Sequence, residues 1–127
     1  NFLDGKVARR NGSGVEVTLD GGDTVILPIA SPESAAMVEG APLCVGIRPE
    51  HVQLADSGLP VAVALTEQLG GNTVLYGALR SQQPLVIQVV GQSEIARGDT
   101  VHVRLPPQCC HGFGADGLSL AATHSLG

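Results

Sequence analysis

The sequence predicts an all-β domain, a small closed or partly closed barrel of eight to ten short strands with at most one short helix. Apolar and polar side chains alternate over many short segments, as they do in strands with one buried face. Glycine and proline, 17 and 8 of the 127 residues, recur between these segments and favour turns. Aromatic residues make up only 2% of the chain, so small aliphatic side chains must fill the core, and these suit strands.

The N-terminal part of the chain reads as strands joined by tight turns. Residues 1–10 are predicted to form the first strand, and residues 15–19 alternate as a second, half-buried strand. The Asp-Gly-Gly-Asp stretch at 20–23 tolerates positive φ and closes a hairpin. Residues 25–29 return as the next strand, and Pro28 indicates that it lies at a sheet edge.

The middle of the chain contains the one segment with mixed signals. Residues 31–40 fit a two-turn helix or a loop equally well, with Pro32 at a first helical position and Gly40 as a stop. Residues 43–47 alternate again, and Val52 and Leu54 resume that alternation. The other predicted strands lie at residues 61–65, 74–79 (apolar on both sides, hence central), 85–90, 101–105 and within 111–120.

A short internal echo suggests a duplicated module. Gly22-Asp23-Thr24-Val25 and Gly98-Asp99-Thr100-Val101 are both a turn followed by a strand. An ancient duplication of a small β unit would produce this pattern, and so would chance in a glycine-rich β protein.

Length and composition indicate one domain, residues 1–120, followed by a frayed tail, residues 121–127. The chain starts at Asn1 without a signal peptide, and its apolar runs fall far short of the roughly 20 residues of a membrane helix. We therefore expect a soluble piece of a longer protein. Three cysteines with no framework spacing suggest a reducing compartment.

The net charge of −5, with Lys6 as the only lysine, argues against nucleic acid as a partner, because phosphate binding needs a surplus of cations. Val7 follows the Gly5-Lys6 pair, so the phosphate-binding loop of ATPases is not present. No Gly-x-Ser-x-Gly motif marks a nucleophilic serine. We expect this part of the chain to be no enzyme.

Two clusters of reactive side chains are candidate sites. Cys109-Cys110-His111 offers metal ligands, but neighbouring strand residues point to opposite faces and cannot share one ion, so no metal is predicted. Arg48-Pro49-Glu50-His51 offers an acid and a base. Catalysis needs groups that converge on a substrate, whereas Pro49 predicts a stiff corner that ends a strand.

Glu67 continues the apolar stripe of Val61, Val63 and Leu65. A carboxylate in that position is expected to bind turn amides or Arg48. The pairing of Glu67 with Arg48 is a hypothesis that the structure can test.

Four motifs in order along the chain resemble one family. They are Asn1-Phe2-Leu3-x-Gly5-x-Val7, Gly46-Ile47-Arg48-Pro49-Glu50-His51, Glu67-x-Leu69-Gly70-Gly71-x-Thr73-x-Leu75-Tyr76-Gly77, and His111-Gly112-Phe113 with Asp116-Gly117-Leu118-Ser119-Leu120. Together they resemble the C-terminal regulatory TOBE domain of the ATP-binding subunits of maltose-type and glycerol-3-phosphate-type ABC importers. The family markers and candidate interdomain contacts are Arg48, Pro49, Glu50, His51, Glu67, Gly70, Tyr76, His111 and Phe113.

The resemblance implies an OB-like barrel, similar to the MOP modules, that regulates and dimerises a bacterial importer subunit. It implies that residues 1–10 join the domain to an upstream ATPase domain, which would hold ATP and Mg. The implied partners are that ATPase domain, a second copy of the subunit, the membrane-spanning permease subunits reached through the ATPase domain, and in some members a regulatory protein. The implied location is peripheral, on the cytoplasmic face of the cell membrane.

Two departures from the family pattern leave an alternative open. The closing motif usually has Leu-Phe-Asp after its histidine, where this chain has Gly112-Phe113-Gly114. Related molybdate-binding modules carry a Ser-Ala-Arg-Asn type signature, which Ala8-Arg9-Arg10-Asn11 matches only in part. The alternative function is therefore an oxyanion or small-ligand module that binds through backbone amides and hydroxyls.

Overall fold

Two five-stranded antiparallel sheets make up the computed structural model, which describes residues 1–11, 14–28 and 38–114. Within those residues ten strands are numbered in chain order: β1 (Phe2–Asn11), β2 (Gly14–Leu19), β3 (Thr24–Pro28), β4 (Pro42–Gly46), β5 (Gln53–Ala55), β6 (Leu59–Gln68), β7 (Asn72–Ala78), β8 (Pro84–Val90), β9 (Thr100–Arg104) and β10 (His111–Phe113). Two single-turn 3-10 helices, Pro49–His51 and Pro107–Cys109, follow β4 and β9. The all-β, OB-like prediction is confirmed.

Some predictions fall on residues that the structure does not describe. These are the helix or loop at 31–40 except for its last three residues, the end of the return strand at Ile29, the closing motif beyond Gly114, and the tail at 121–127.

The two sheets have the same topology, because the chain is built from two equivalent halves. The N-terminal half runs from β1 to β5, and the C-terminal half from β6 to β10. The first sheet has the order β10-β4-β1-β2-β3, and the second has β5-β9-β6-β7-β8. The strands β1 to β5 correspond, in that order, to β6 to β10. Replacing each strand by its counterpart converts the order of the first sheet into that of the second.

The last strand of each half is exchanged between the sheets. β5 pairs with β9 in the second sheet, and β10 pairs with β4 in the first. The 3-10 helix before each exchanged strand carries the chain from one sheet to the other. The exchange ties the halves together through backbone hydrogen bonds as well as through the core.

The duplicated-module interpretation agrees with this topology, but the repeated Gly-Asp-Thr-Val stretch does not arise from it. The Gly-Asp-Thr-Val stretch at 22–25 leads into β3, whereas the one at 98–101 leads into β9. The structural counterpart of β3 is β8, and that of β9 is β4. The echo therefore joins strands that are not equivalent.

A β-bulge interrupts the long first strand of each half at the same place. The register shifts between Val7 and Arg9 in β1, and between Val63 and Leu65 in β6. An extra residue reverses which face the later side chains point to. The prediction that Leu65 and Glu67 continue the buried stripe of Val63 is therefore wrong: Leu65 is 51% exposed and Glu67 lies at the surface.

One hydrophobic cluster joins the two sheets. Leu3, Val17 and Val45 supply it from the first sheet, and Leu75 and Ile87 from the second; all five are fully buried. The aliphatic core expected from the near absence of aromatic residues is confirmed.

In each half a glycine on one strand packs against a valine on the neighbouring strand, but the two residue types are exchanged between the strands. In the N-terminal half Gly5 of β1 lies against Val17 of β2, and a Cβ on Gly5 would meet Cγ1 of Val17 at 2.9 Å. In the C-terminal half the small residue is on the other strand: a Cβ on Gly77 of β7 would meet Cγ1 of Val61 of β6 at 2.6 Å. Each pair therefore has room for one side chain only.

Two side-chain amides, from Asn1 just before β1 and Gln83 just before β8, connect the first sheet to the second. The Asn1 carboxamide donates to the carbonyl oxygen of Val86 and accepts from its N–H, both at 2.8 Å. The Gln83 carboxamide pairs with the backbone of Asp4 in the same reciprocal way, donating to its carbonyl oxygen at 3.0 Å. Each carboxamide thus takes the part that a peptide group plays in a strand ladder.

Replacing Asn1 by alanine should lower the free energy of unfolding by about 1–2 kcal/mol, because two partly buried hydrogen bonds are lost and Val86 keeps unpaired polar groups. Urea denaturation followed by far-UV circular dichroism measures the change. Gln92→Ala is the control, because Gln92 has an exposed amide and follows β8 of the second sheet. Equal stability of the Asn1 variant and the control would show that the amide bridge contributes nothing.

Candidate functional site

The motif Arg48-Pro49-Glu50-His51 forms the corner between β4 and β5, which lie in different sheets. Arg48 is extended, with φ −72° and ψ 146°, and Pro49 occupies the first turn of the 3-10 helix. The guanidinium Nη1 of Arg48 lies 3.8 Å from Oε2 of Glu50, and both side chains are solvent-exposed. A stiff corner with local charge pairing, as predicted, is what the structure contains.

The equivalent corner in the C-terminal half has no acid and no base. There Pro107-Gln108-Cys109 forms the 3-10 helix, and Pro107 again stands in its first turn. The same backbone corner therefore forms without Glu50 or His51. This favours a structural role for the motif over acid–base catalysis.

Glu67 contacts Tyr76 instead of Arg48. The Tyr76 hydroxyl donates to Oε1 of Glu67 at 2.7 Å, while Arg48 pairs with Glu50. The hypothesis of an Arg48–Glu67 pair is wrong, because the bulge turns Glu67 outward and the register sets it diagonally across from Tyr76. The hydrogen bond to the carboxylate raises the pKa of Tyr76, since it favours the neutral phenol.

Replacing Glu67 by glutamine should lower the pKa of Tyr76 toward its ordinary value near 10.0, because both the carboxylate acceptor and its negative charge are removed. Tyr76 is the only tyrosine and the chain has no tryptophan, so absorbance at 295 nm during a pH titration reports it directly. Glu50→Gln, which lies outside this contact, should leave the midpoint unchanged. An identical midpoint in Glu67→Gln and the parent would contradict the contact.

The outer face of β6, β7 and β8, defined here by Leu65, Glu67, Val74, Tyr76 and Val90, is the main exposed apolar surface near the family motif. Leu65 is 51% exposed and Val90 is 86% exposed. Several large apolar side chains on one exposed sheet face are a feature of surfaces that contact another protein. Sequence reasoning missed Val90 as a surface residue, because it was predicted only as the last residue of a strand at 85–90.

The tip of the same hairpin explains why Gly70 stands in the motif. Gly70 has a φ of +80°, which side chains other than glycine rarely adopt. The turn is closed by the Leu69 N–H donating to the Asn72 carbonyl, and the Gly91 N–H donates to the Gly71 carbonyl alongside it. Leu69, 60% exposed, extends the apolar outer face at this tip.

His111 and Phe113 lie on β10, in the first sheet. Their register partners on β4 are Gly46 and Cys44. The Phe113 ring contacts that of Phe2 edge to face, with centroids 5.9 Å apart. The strand forms despite the departure from the family's closing motif.

The predicted site residues therefore occupy three separate places: the corner, the outer face of the second sheet, and β10.

The neighbouring cysteines are in different environments. The Cys110 thiol is buried and donates to the carbonyl oxygen of Pro106 at 3.3 Å, and burial raises its pKa to about 12. Cys109 is half-buried. Within the described part of the chain, no group of three or more His, Cys, Asp or Glu residues is placed to hold a metal ion.

The comparison with protein families identifies the domain. The profile of the TOBE domain matches residues 45–113, which is more than half of the chain and includes the corner, the hairpin and β10. The chain belongs to the TOBE domain family. The resemblance seen in the sequence motifs is thereby confirmed.

Relatives of this TOBE domain are ATP-binding proteins of importers. The chain is 34% identical, over 98% of its own length and 34% of the relative's, to the maltose/maltodextrin import ATP-binding protein MalK of Salmonella typhi. It is 36% identical, over 76% of its length and 26% of the relative's, to the sn-glycerol-3-phosphate import ATP-binding protein UgpC of Paracoccus denitrificans. The chain thus spans about a third or less of these relatives.

A solved structure shares the fold of this TOBE domain. The cytoplasmic molybdate-binding protein ModG, crystallised with molybdate bound, superposes with a TM-score of 0.77 at 17% identity, covering 93% of this chain and 95% of ModG. Among the described residues, no helix is long and apolar enough to cross a membrane.

Proposed function

We propose that this TOBE domain is the non-catalytic regulatory and dimerisation domain of the ATP-binding subunit of an ABC importer for sugars or glycerol-3-phosphate. The observation that carries the proposal is the match of 98% of this chain to about a third of MalK, a protein named for ATP binding in maltodextrin import. ATP and Mg would bind in another domain of the same subunit. The permease subunits would be reached through that domain, on the cytoplasmic face of a bacterial membrane.

Two copies of the domain would meet through the outer face of β6, β7 and β8. This face combines exposed aliphatic side chains with the Glu67–Tyr76 hydrogen bond, and an aromatic hydroxyl next to apolar groups is typical of interface centres. A contact of this kind would hold two ATPase domains in register while they open and close. A regulatory protein that competes for the same face would change that coupling.

The paired substitution Leu65→Asp and Val90→Asp should weaken self-association at least about tenfold, because two carboxylates would be desolvated in the contact. Sedimentation equilibrium over a wide concentration range measures the dissociation constant. Val38→Asp is the matched control, since Val38 is 59% exposed but lies on the other half. Unchanged association in the double variant, or equal weakening in the control, would contradict the outer face as the dimer contact.

Calorimetric titration separates this proposal from the oxyanion alternative. ModG is a molybdate-binding protein of the same fold, so molybdate, tungstate, sulfate and glycerol-3-phosphate are the ligands to test. We expect no saturable heat with any of them. A stoichiometric molybdate isotherm would favour the ligand-binding alternative over the regulatory one.

The coding sequence upstream of Asn1 provides the most direct test of the parent protein. A phosphate-binding loop there, followed by the ABC signature, would support the importer subunit. An upstream region with neither motif would contradict it.

A further inference from the structure

The edge strands β3 and β8 of the two sheets differ in the hydrogen bonds of their outward-facing backbone groups. On β8 the backbone N–H and carbonyl of Val86 both bond to the Asn1 carboxamide. The N–H and carbonyl of Val86 point away from β7, because Val86 and Tyr76 form a pair that does not share backbone hydrogen bonds.

The equivalent edge in the first sheet is β3, and the equivalent of Val86 is Ile26. The Leu19 N–H donates to the Asp23 carbonyl at the hairpin, so alternate residues along β3 point their backbone groups away from β2. Those residues are Thr24 and Ile26. Neither makes an outward hydrogen bond to another described residue, and both are exposed.

A groove of about 680 Å³ runs beside this edge. Its lining also includes Leu59, Arg104 and the 3-10 helix residues Pro107 and Gln108. A volume of this size suits a segment of several residues, within the roughly 300–1,000 Å³ of ordinary ligand sites.

Among the described residues, the C-terminal half has no equivalent of the Asn1 bridge at this edge. The residue that precedes β6 at the corresponding place is Ser57, followed by Gly58 with a φ of +139°. Gly58 presses directly on the carbonyl oxygen of Val103, where a Cβ would not fit. The backbone at Gly58 therefore lies close against β9, and no side-chain amide of the part of the chain that the structure describes bonds to the backbone of Ile26.

We propose that the edge of β3 and its groove bind an extended, acidic peptide segment of a partner protein, which adds to the first sheet as a further strand. Thr24 and Ile26 present two N–H and two carbonyl groups at strand spacing, which match the backbone of a peptide. The inference does not depend on the importer function proposed above.

The strand β8 is a poorer site for an added strand than β3. The residue of β8 equivalent to Thr24 is Pro84, which has no N–H to donate, and Asn1 already covers Val86. On β3 the first proline that faces outward is Pro28, at the strand's end. The pairing is therefore limited to a short peptide of about four residues.

The charges that line the groove favour an acidic peptide. Among the described residues that line it, Asp23 and Arg104 are the two with ionisable side chains. Asp23 is neutralised by Arg80, whose Nε lies 3.4 Å from its Oδ1. Arg104 is exposed and has no carboxylate within salt-bridge distance among the described residues. Its guanidinium is thus available to a carboxylate of the peptide.

The probe for this site is a fluorescein-labelled peptide of sequence Val-Thr-Glu-Val-Thr, titrated into the 127-residue chain. Fluorescence anisotropy gives the affinity, and amide chemical shifts in ¹⁵N spectra locate the contact. We expect saturable shifts at Thr24 and Ile26 and none at Val86. The same peptide with alternate backbone nitrogens methylated should bind at least about tenfold more weakly, because it cannot pair with the edge.

Two variants test the parts of the site separately. Thr24→Pro removes one outward N–H, at a place where the other half carries Pro84, and should weaken binding about tenfold. Arg104→Gln should weaken the glutamate peptide about fivefold and leave a glutamine version of the peptide unaffected. Arg97→Gln, an exposed arginine outside the groove, is the matched control and should change neither.

Three results would overturn the inference: no saturable shift at Thr24 or Ile26 at millimolar peptide, equal affinity for the methylated peptide, or shifts centred on β8 or on the Phe2–Phe113 contact. Binding that survives Thr24→Pro and Arg104→Gln in folded variants would also place the peptide elsewhere. Unchanged thermal midpoints show that each variant is folded.

Discussion

The Gly77→Val variant should lose about 3 kcal/mol of its free energy of unfolding, which is at the upper end for overpacking a core. A Cβ at Gly77 would lie 2.6 Å from Cγ1 of Val61 and 2.7 Å from the carbonyl oxygen of Ala62. Val61 can change rotamer, but the carbonyl belongs to the neighbouring strand and moves only with the sheet. Urea denaturation at neutral pH measures the loss.

The matched control is Gly71→Val, because Gly71 has nothing within 4 Å of an added Cβ and should stay within about 0.5 kcal/mol of the parent. The N-terminal half suggests a rescue, since there the glycine, Gly5, is on the first strand and the valine, Val17, on the second. The double variant Val61→Gly with Gly77→Val copies that arrangement. It should recover at least about 1 kcal/mol relative to the sum of the two single losses. Strict additivity would show that the two halves do not pack interchangeably.

Raising the pH from 8 to 11 should lower the free energy of unfolding by about 2 kcal/mol through Cys110. Its pKa is raised from 9.0 to about 12 by burial, with a smaller contribution from Cys109. The folded state therefore holds this proton more tightly than the unfolded state. The stabilisation is complete below pH 9 and is lost as the pH rises through the interval up to about 12.

Urea denaturation in reducing buffer at pH 8, 9, 10 and 11 measures this loss. Cys44 and Tyr76 also have raised pKa values and contribute in the same direction. Cys110→Ala is therefore the control that isolates the buried thiol, and its stability should depend less steeply on pH. Parallel curves for Cys110→Ala and the parent would show that the thiolate is not excluded from the folded state.

Local patterns were sufficient to predict most of the strands. Val15, Val17 and Leu19 alternate in the sequence and are all buried in β2. Pro49 predicted the corner, and Pro28 predicted an edge strand. Each of these features depends on a few neighbouring residues, whose preferences are visible in the sequence.

The features that sequence reasoning missed depend on pairing between distant segments. The sequence after Val63 carries no sign of a bulge, because the extra residue exists only relative to the pairing of β6 with β7. The contact between Glu67 and Tyr76 follows from that bulge and from the register. The Asn1 bridge to Val86 joins residues 85 positions apart in the sequence, and a lone asparagine just before a strand carries no signal for it.

The exchange of β5 and β10 makes each half dependent on the other for its completion. Until β10 is available, β4 has an uncovered edge, and the second sheet has no β5 without the first half. Neither half can complete its own sheet, although each contains its own hairpins. We therefore expect the two halves to unfold as one cooperative unit, because the exchanged strands oppose the separate unfolding of either half. In a subunit that transmits force between mobile parts, such an exchange would let the domain move as a rigid body.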